Sequence, residues 1–332
     1  MLVIVIDSIQ AANNKRFQSS SLRRDQDFEN IGGRKRNVFG ANNLENRLEA
    51  NFVAAIVYVG PCCDYKDVAL SNQLKVHCTA TVISPNYILT TAVCLVQHIA
   101  KNPSHFYVIF DLNPLEKWRN FAVNNNGNFL ARRIINHKVH GKYTTTDPYK
   151  YNLALIQLDK PINLTTPIVA ETPLPYISHY RPYCKEYSEV DYTDVYMNHC
   201  FFYGYGPNRY DNTTHRTGIL KRFHLPLLNS RYCRYFDATF DLKSNLCAGH
   251  KRVTNKDEKF KGFIGGDFGG PLVCTVINVR NFKDVSKRLV VGIASMSALV
   301  TLPDHSLRLF DYFSSTRFFR DWIEDLSDRN RL

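Results

Sequence analysis

Gly265-Gly266-Asp267-Phe268-Gly269-Gly270-Pro271-Leu272-Val273-Cys274 is the stretch on which the reading of this 332-residue chain turns. Four glycines flank one acid and one aromatic, and a proline follows at once. Glycine reaches backbone angles closed to other residues and lets N–H groups crowd around one point. The pattern dictates a tight, sharply bent loop. Leu272, Val273 and Cys274 then read as the start of a strand. A loop of this kind gathers backbone donors around a small volume.

Working outward, the chain alternates short β-branched and aromatic runs with turn residues. The clearest runs are Phe52–Val59, His77–Ser84, Tyr87–Ala92, Phe106–Phe110, Phe129–Ile135 and Leu153–Leu158. After a proline-containing connection near Thr172–Pro182 come Tyr192–Tyr203, Ile219–Leu227, Asn245–Ala248, Pro271–Val279, Leu289–Ser295 and Leu307–Phe313. Two groups of about six strands imply an all-β fold of two barrels, at about residues 50–165 and 190–313. A closing helix is expected at about 315–328. Ser314 or Ser315 can cap it, and Phe318, Phe319, Trp322, Ile323 and Leu326 share one face.

Residues 1–36 form a separate leader ahead of a domain at 37–332. Residues 7–36 are polar and basic without apolar periodicity, which implies disorder. Met1–Ile6 is apolar but too short to span a membrane; it reads as a bare apolar end or the tail of a signal peptide. Arg34-Lys35-Arg36 is either a charged linker or a site that a trypsin- or furin-like protease cuts, between Arg36 and Asn37.

Apolar residues make up 44% of the chain, enough for a substantial core. The net charge of +12 suits an acidic protein or an anionic glycan, or is simply a solvated basic surface. The basic stretch 251–261 has the same two readings. No nucleic-acid motif accompanies the charge. Nine cysteines without a CxxC pair point to disulfides and an oxidising compartment rather than to zinc. The odd count leaves at least one thiol free or bonded to another chain. The histidines lack a metal-ligand pattern, so no metal and no cofactor is expected. Asn163-Leu164-Thr165 and Asn212-Thr213-Thr214 are glycosylation acceptors consistent with secretion.

Several stretches together resemble one family. They are Tyr87–Cys94, Ile134–His137, Tyr151–Ile156, Cys200–Gly206, the glycine loop and Phe310–Ile323, in order along the chain. They are similar to the trypsin- and chymotrypsin-like serine proteases, the S1 family, from about Asn37 to Arg329. The resemblance implies two antiparallel six-stranded β-barrels with a C-terminal α-helix. It implies disulfides Cys78–Cys94, Cys233–Cys247 and Cys200–Cys274. It also implies a bridge from Cys184, with Cys62 or Cys63 as partner.

In this family a serine attacks, a histidine takes its proton and an aspartate orients the histidine. Val93 stands at the histidine position, Asn152 at the aspartate position and Phe268 at the serine position. Valine carries no proton and asparagine no charge. Gly266 and the Phe268 N–H correspond to the oxyanion hole. Gly262, Met296, Ser297 and Arg308 correspond to the side-chain pocket, so no preference for basic residues is encoded. Asp267 is the acid that pairs with a newly cut N-terminus, here Asn37-Val38-Phe39-Gly40. The resemblance thus implies a secreted, non-enzymatic homologue that binds a protein partner, an active serine protease or its substrate. Two alternatives stay open. One is a weakly active or repurposed hydrolase, with Ser295 or Ser297 as a relocated nucleophile. The other is a module for anionic glycans.

Overall fold

The computed structural model describes residues 42–43, 50, 52–59, 75–110, 131–162, 197–206, 220–249, 262–263, 265–276, 287–302 and 305–328. Arg36, Asn37, Cys62, Cys63, Asn163, Cys184, Asn212 and the stretch 251–261 lie outside the described residues.

The first half folds from runs of β-branched and aromatic residues. These are β2 (Val53–Tyr58), β3 (Lys75–Ser84), β4 (Tyr87–Thr90), β5 (Phe106–Phe110), β6 (Ala131–Val139) and β7 (Ala154–Leu158). They close into a barrel in the order β2-β3-β4-β7-β6-β5, with every pair antiparallel. Closure removes the unpaired edges that open sheets must protect. β5, Phe-Tyr-Val-Ile-Phe, is buried along its whole length.

The second half builds an eight-stranded sheet, together with the early β1 (Asn42–Asn43). Its strands are β8 (Met197–Gly204), β9 (Lys221–His224), β10 (Leu227–Leu228), β11 (Asn245–Ala248), β12 (Pro271–Val276), β13 (Lys287–Thr301) and β14 (Leu307–Ser315). The order is β1-β9-β8-β12-β13-β14-β11-β10. β9 and β10 stand near opposite ends of that order, yet only Leu225 and Pro226 separate them in sequence. The sheet must therefore curl until its ends meet. Leu225 N donates to Cys200 O (3.0 Å) and Gly249 N to Pro226 O (2.9 Å) at that seam. The result is the expected two-barrel, chymotrypsin-like architecture.

Local differences have local causes. The expected run Ile219–Leu227 breaks at Pro226, which has no N–H to donate. β13 runs on to Thr301, and a register shift between Ala294 and Met296 bends it. The sequence reading omits a short helix, α1 (Ser230–Phe236); Asn229 Oδ1 caps it, accepting from Arg231 N (2.8 Å) and Tyr232 N (3.3 Å). The last helix, α2, spans Arg320–Asp328 and is preceded by a turn in which Ser315 O accepts from Phe319 N (3.1 Å). Phe319 and Ile323 are buried, whereas Phe318 is 43% exposed and leaves the expected apolar face.

Disulfides join Cys78 to Cys94, Cys200 to Cys274 and Cys233 to Cys247. The core of the first barrel extends to Tyr203, Val290, Phe319 and Ile323 from the second half. Phe268 packs against this core and against a neighbouring one in the second barrel.

Candidate functional site

The glycine loop meets β3 of one barrel and β13 of the other. Gly266 and Gly269 have φ of +99° and +87°, angles that an L side chain rarely adopts. A Cβ at Gly269 would also run into Thr79 O and Thr90. Gly270 N donates to Asp267 O (2.9 Å), closing the turn. Thr79 N donates to Phe268 O (2.9 Å), Thr79 Oγ1 to Gly266 O (2.8 Å) and Thr81 Oγ1 to Gly269 O (3.2 Å). On the other side Gly269 N donates to Ala294 O (2.9 Å) and Ala294 N to Gly270 O (2.8 Å). The loop is stapled to both barrels through its backbone.

Val93 lies on the helical turn Ala92–Cys94 that follows β4, beside the Cys78–Cys94 bridge. Asn152 is fully buried before β7. Its Oδ1 accepts from Val93 N (3.0 Å), and its Nδ2 donates to Ser295 O (3.1 Å) and Ser295 Oγ (2.9 Å). Its backbone oxygen accepts from Ser314 Oγ (3.0 Å). One end of the side chain must accept and the other must donate, which an amide does and an ionised carboxylate does not.

Phe268 is half-buried and meets Phe263 edge to face at 5.8 Å. It reaches the neighbourhood of Val93 through Thr79, the residue after Cys78. Ser295 is buried and its hydroxyl accepts from Asn152. Ser297 Oγ lies 2.7 Å from Phe263 O and 2.5 Å from Asp311 Oδ1. Among the described residues neither hydroxyl is hydrogen-bonded to a histidine.

The four pocket positions do not all converge. Met296 and Ser297 pair with Tyr312 and Asp311, whereas Arg308 pairs with Val300 farther along β13. The atoms nearest the side-chain direction of Gly262 belong to Leu309 and Asp311, not to Arg308. Alternation along β14 explains this: Leu309 and Asp311 share one face, Arg308 and Phe310 the other. The Asp311 carboxylate oxygens lie 2.7 and 2.9 Å from where a Gly262 Cβ would be. An acid therefore stands beside the glycine that seemed to leave the pocket uncharged.

Asp311 is fully buried and accepts from Phe263 N (3.3 Å), while its Oδ2 has no hydrogen-bond partner among the described residues. Burial pushes its carboxyl well above the usual carboxylate range, against the opposing pull of Ser297 and the Phe263 N–H. The sequence reading missed it. The available signal was an acid set among Leu309, Phe310, Tyr312 and Phe313 in a largely apolar strand.

Among the described residues no group of three or more His, Cys, Asp or Glu is placed to hold a metal ion. No described helix is long and apolar enough to cross a membrane.

The trypsin family profile matches residues 65–323, well over half of the chain. This chain belongs to the trypsin family. It is also similar to coagulation factor IX of Oryctolagus cuniculus, 25% identical over 210 residues, which cover 63% of this chain and 65% of that protein. The match thus spans a little under two thirds of that relative's length. The serine-protease fold of this trypsin-family chain is secure on both counts.

Proposed function

We propose that this trypsin-family chain is a secreted, non-catalytic protein. It acts by binding other proteins as a cofactor, decoy or regulator of active proteases. Its partner is an active serine protease or the substrate of one, held by the loops that rim the former cleft. Residues 37–332 are the binding unit and residues 1–36 a leader.

The observation that carries this reading is the hydrogen bonding of Asn152. Acyl transfer needs a group that takes a proton from a nucleophile and a charge that steadies it. Asn152 spends its amide on Val93 N and on Ser295, and offers neither. The Val93 side chain is aliphatic, and the Phe268 ring packs between two cores. Backbone donors and binding alone are worth about 10³–10⁴-fold over water in such sites, far short of a working protease. Secretion is supported by three disulfides, which persist in oxidising compartments.

The test is labelling of the purified protein, uncut and cut after Arg36, with a fluorophosphonate probe, beside hydrolysis of a peptide library. No label and no turnover are expected. Labelling that disappears when a single serine is mutated would overturn the proposal.

A further inference from the structure

Tyr149 belongs to the segment ahead of β7, yet it is buried in one core with Phe240, Met296 and Tyr312 of the second barrel. Its ring lies 6.0 Å from that of Tyr312, which lies 4.9 Å from that of Phe240. Phe240 N donates to the backbone oxygen of Asp237 (3.1 Å), the residue that ends α1. Asp237 is 2% exposed, Tyr149 5% and Tyr312 0%. Asp237 Oδ1 accepts from Thr239 N (2.9 Å) and Thr239 Oγ1 (2.5 Å). Asp237 Oδ2 and both phenol oxygens have no hydrogen-bond partner among the described residues. The three groups nevertheless feel one another. Burial first, and then the Asp237 carboxylate, pushes both phenols up, and the Tyr312 O–H is turned toward that carboxylate.

Buried polar atoms are seldom left bare, and what these three lack decides what fits between them. Each phenol has a proton to give, and a carboxylate oxygen accepts. One water molecule accepts from both phenols and donates to Oδ2, the roughly three contacts usual for an internal water. A metal cation would take oxygen lone pairs and leave both phenol protons without an acceptor. We propose that Tyr149, Tyr312 and Asp237 form a binding site for one internal water molecule. The bridge fastens the segment that leads to Asn152 onto α1 and β14 of the second barrel. It stands independently of whether the chain binds a protease.

The experiment is water-oxygen magnetic relaxation dispersion, which counts long-lived internal waters, on the full chain and on the double variant Tyr149→Phe with Tyr312→Phe. The double variant should hold one water fewer than the wild type, and an equal count would overturn the proposal. Exchanging sodium for potassium or choline at constant ionic strength should leave the melting temperature of the wild type unchanged. A shift specific to one ion would put a cation in the site instead. A high-resolution crystal structure of the wild type decides the matter even where the double variant does not fold. It should show a single peak within about 2.5–3.0 Å of Asp237 Oδ2 and of both phenol oxygens. Direct bonding of a phenol to Oδ2 with no peak between them would refute the site.

Discussion

Asn152 and Asp311 are both buried and both hydrogen-bonded to a serine of β13, and they differ by one amide nitrogen. Asn152 has a donor for every oxygen it faces. Asp311 has no amide to offer, and among the described residues its Oδ2 is unpartnered. The folded chain therefore holds the Asp311 proton more tightly than the unfolded chain does, because burial disfavours the charge. The sign follows from linkage. A raised carboxyl contributes stability that is complete below its unfolded value near 3.8, and this is lost as pH rises through the folded value. Asp311→Asn keeps an oxygen for Phe263 N and Ser297, adds an N–H where Oδ2 is bare, and removes the ionisation. The variant should melt above the wild type at pH 7, and the gap should close as pH falls toward 4. Paired melting curves across that window decide it. A wild type more stable at pH 7, or a gap independent of pH, would refute the account.

At the scale of elements, the disulfides differ mainly in the length of chain they close. Cys78–Cys94 and Cys233–Cys247 span 16 and 14 residues, whereas Cys200–Cys274 spans 74. Loop-closure entropy in the unfolded chain gives about 3 kcal/mol for the short bridges and about 4.5 kcal/mol for the long one. Replacing Cys200 and Cys274 by alanine should thus lower the urea midpoint more than replacing Cys233 and Cys247. The reverse order would show that strain or residual structure outweighs chain entropy. Most strands were legible in the sequence because each is a run of β-branched and aromatic residues between turn signals, as in Phe106–Phe110. α1 was not legible, because it is only seven residues long, with its start resting on the Asn229 cap and its stop on Asp237. The site divides along the same line. Asn152 and Phe268 could be picked out by linear motif, since each sits inside a contiguous pattern. Asp311 could not, because what matters is a neighbour remote in the sequence, Gly262, which only the fold brings beside it.

Across the whole molecule, the two barrels share more than a covalent connection. Thr79 and Thr81 of β3 bind the glycine loop, Asn152 binds Ser295 and Ser314, and Asn245 Nδ2 donates to Tyr149 O (2.9 Å). The end of the chain then returns to the first barrel. His140 stacks on Tyr151 at 5.0 Å and meets Phe319 and Trp322 at 5.2 and 5.1 Å. Phe319 and Ile323 complete the same buried core as β2 to β7. Opening either barrel alone would leave these buried polar groups without partners, at about 1–3 kcal/mol for each orphan. It would also strip apolar surface from the barrel left behind. Neither barrel then has a stable state of its own. The chain should unfold in a single transition, with the calorimetric enthalpy equal to the van't Hoff enthalpy and tryptophan fluorescence coincident with far-UV dichroism. Trp322→Ala should shift that transition down without splitting it, because the helix contact is part of the shared core rather than a hinge between independent units. Two resolved transitions in the wild type would show that the barrels are held together only by their loops.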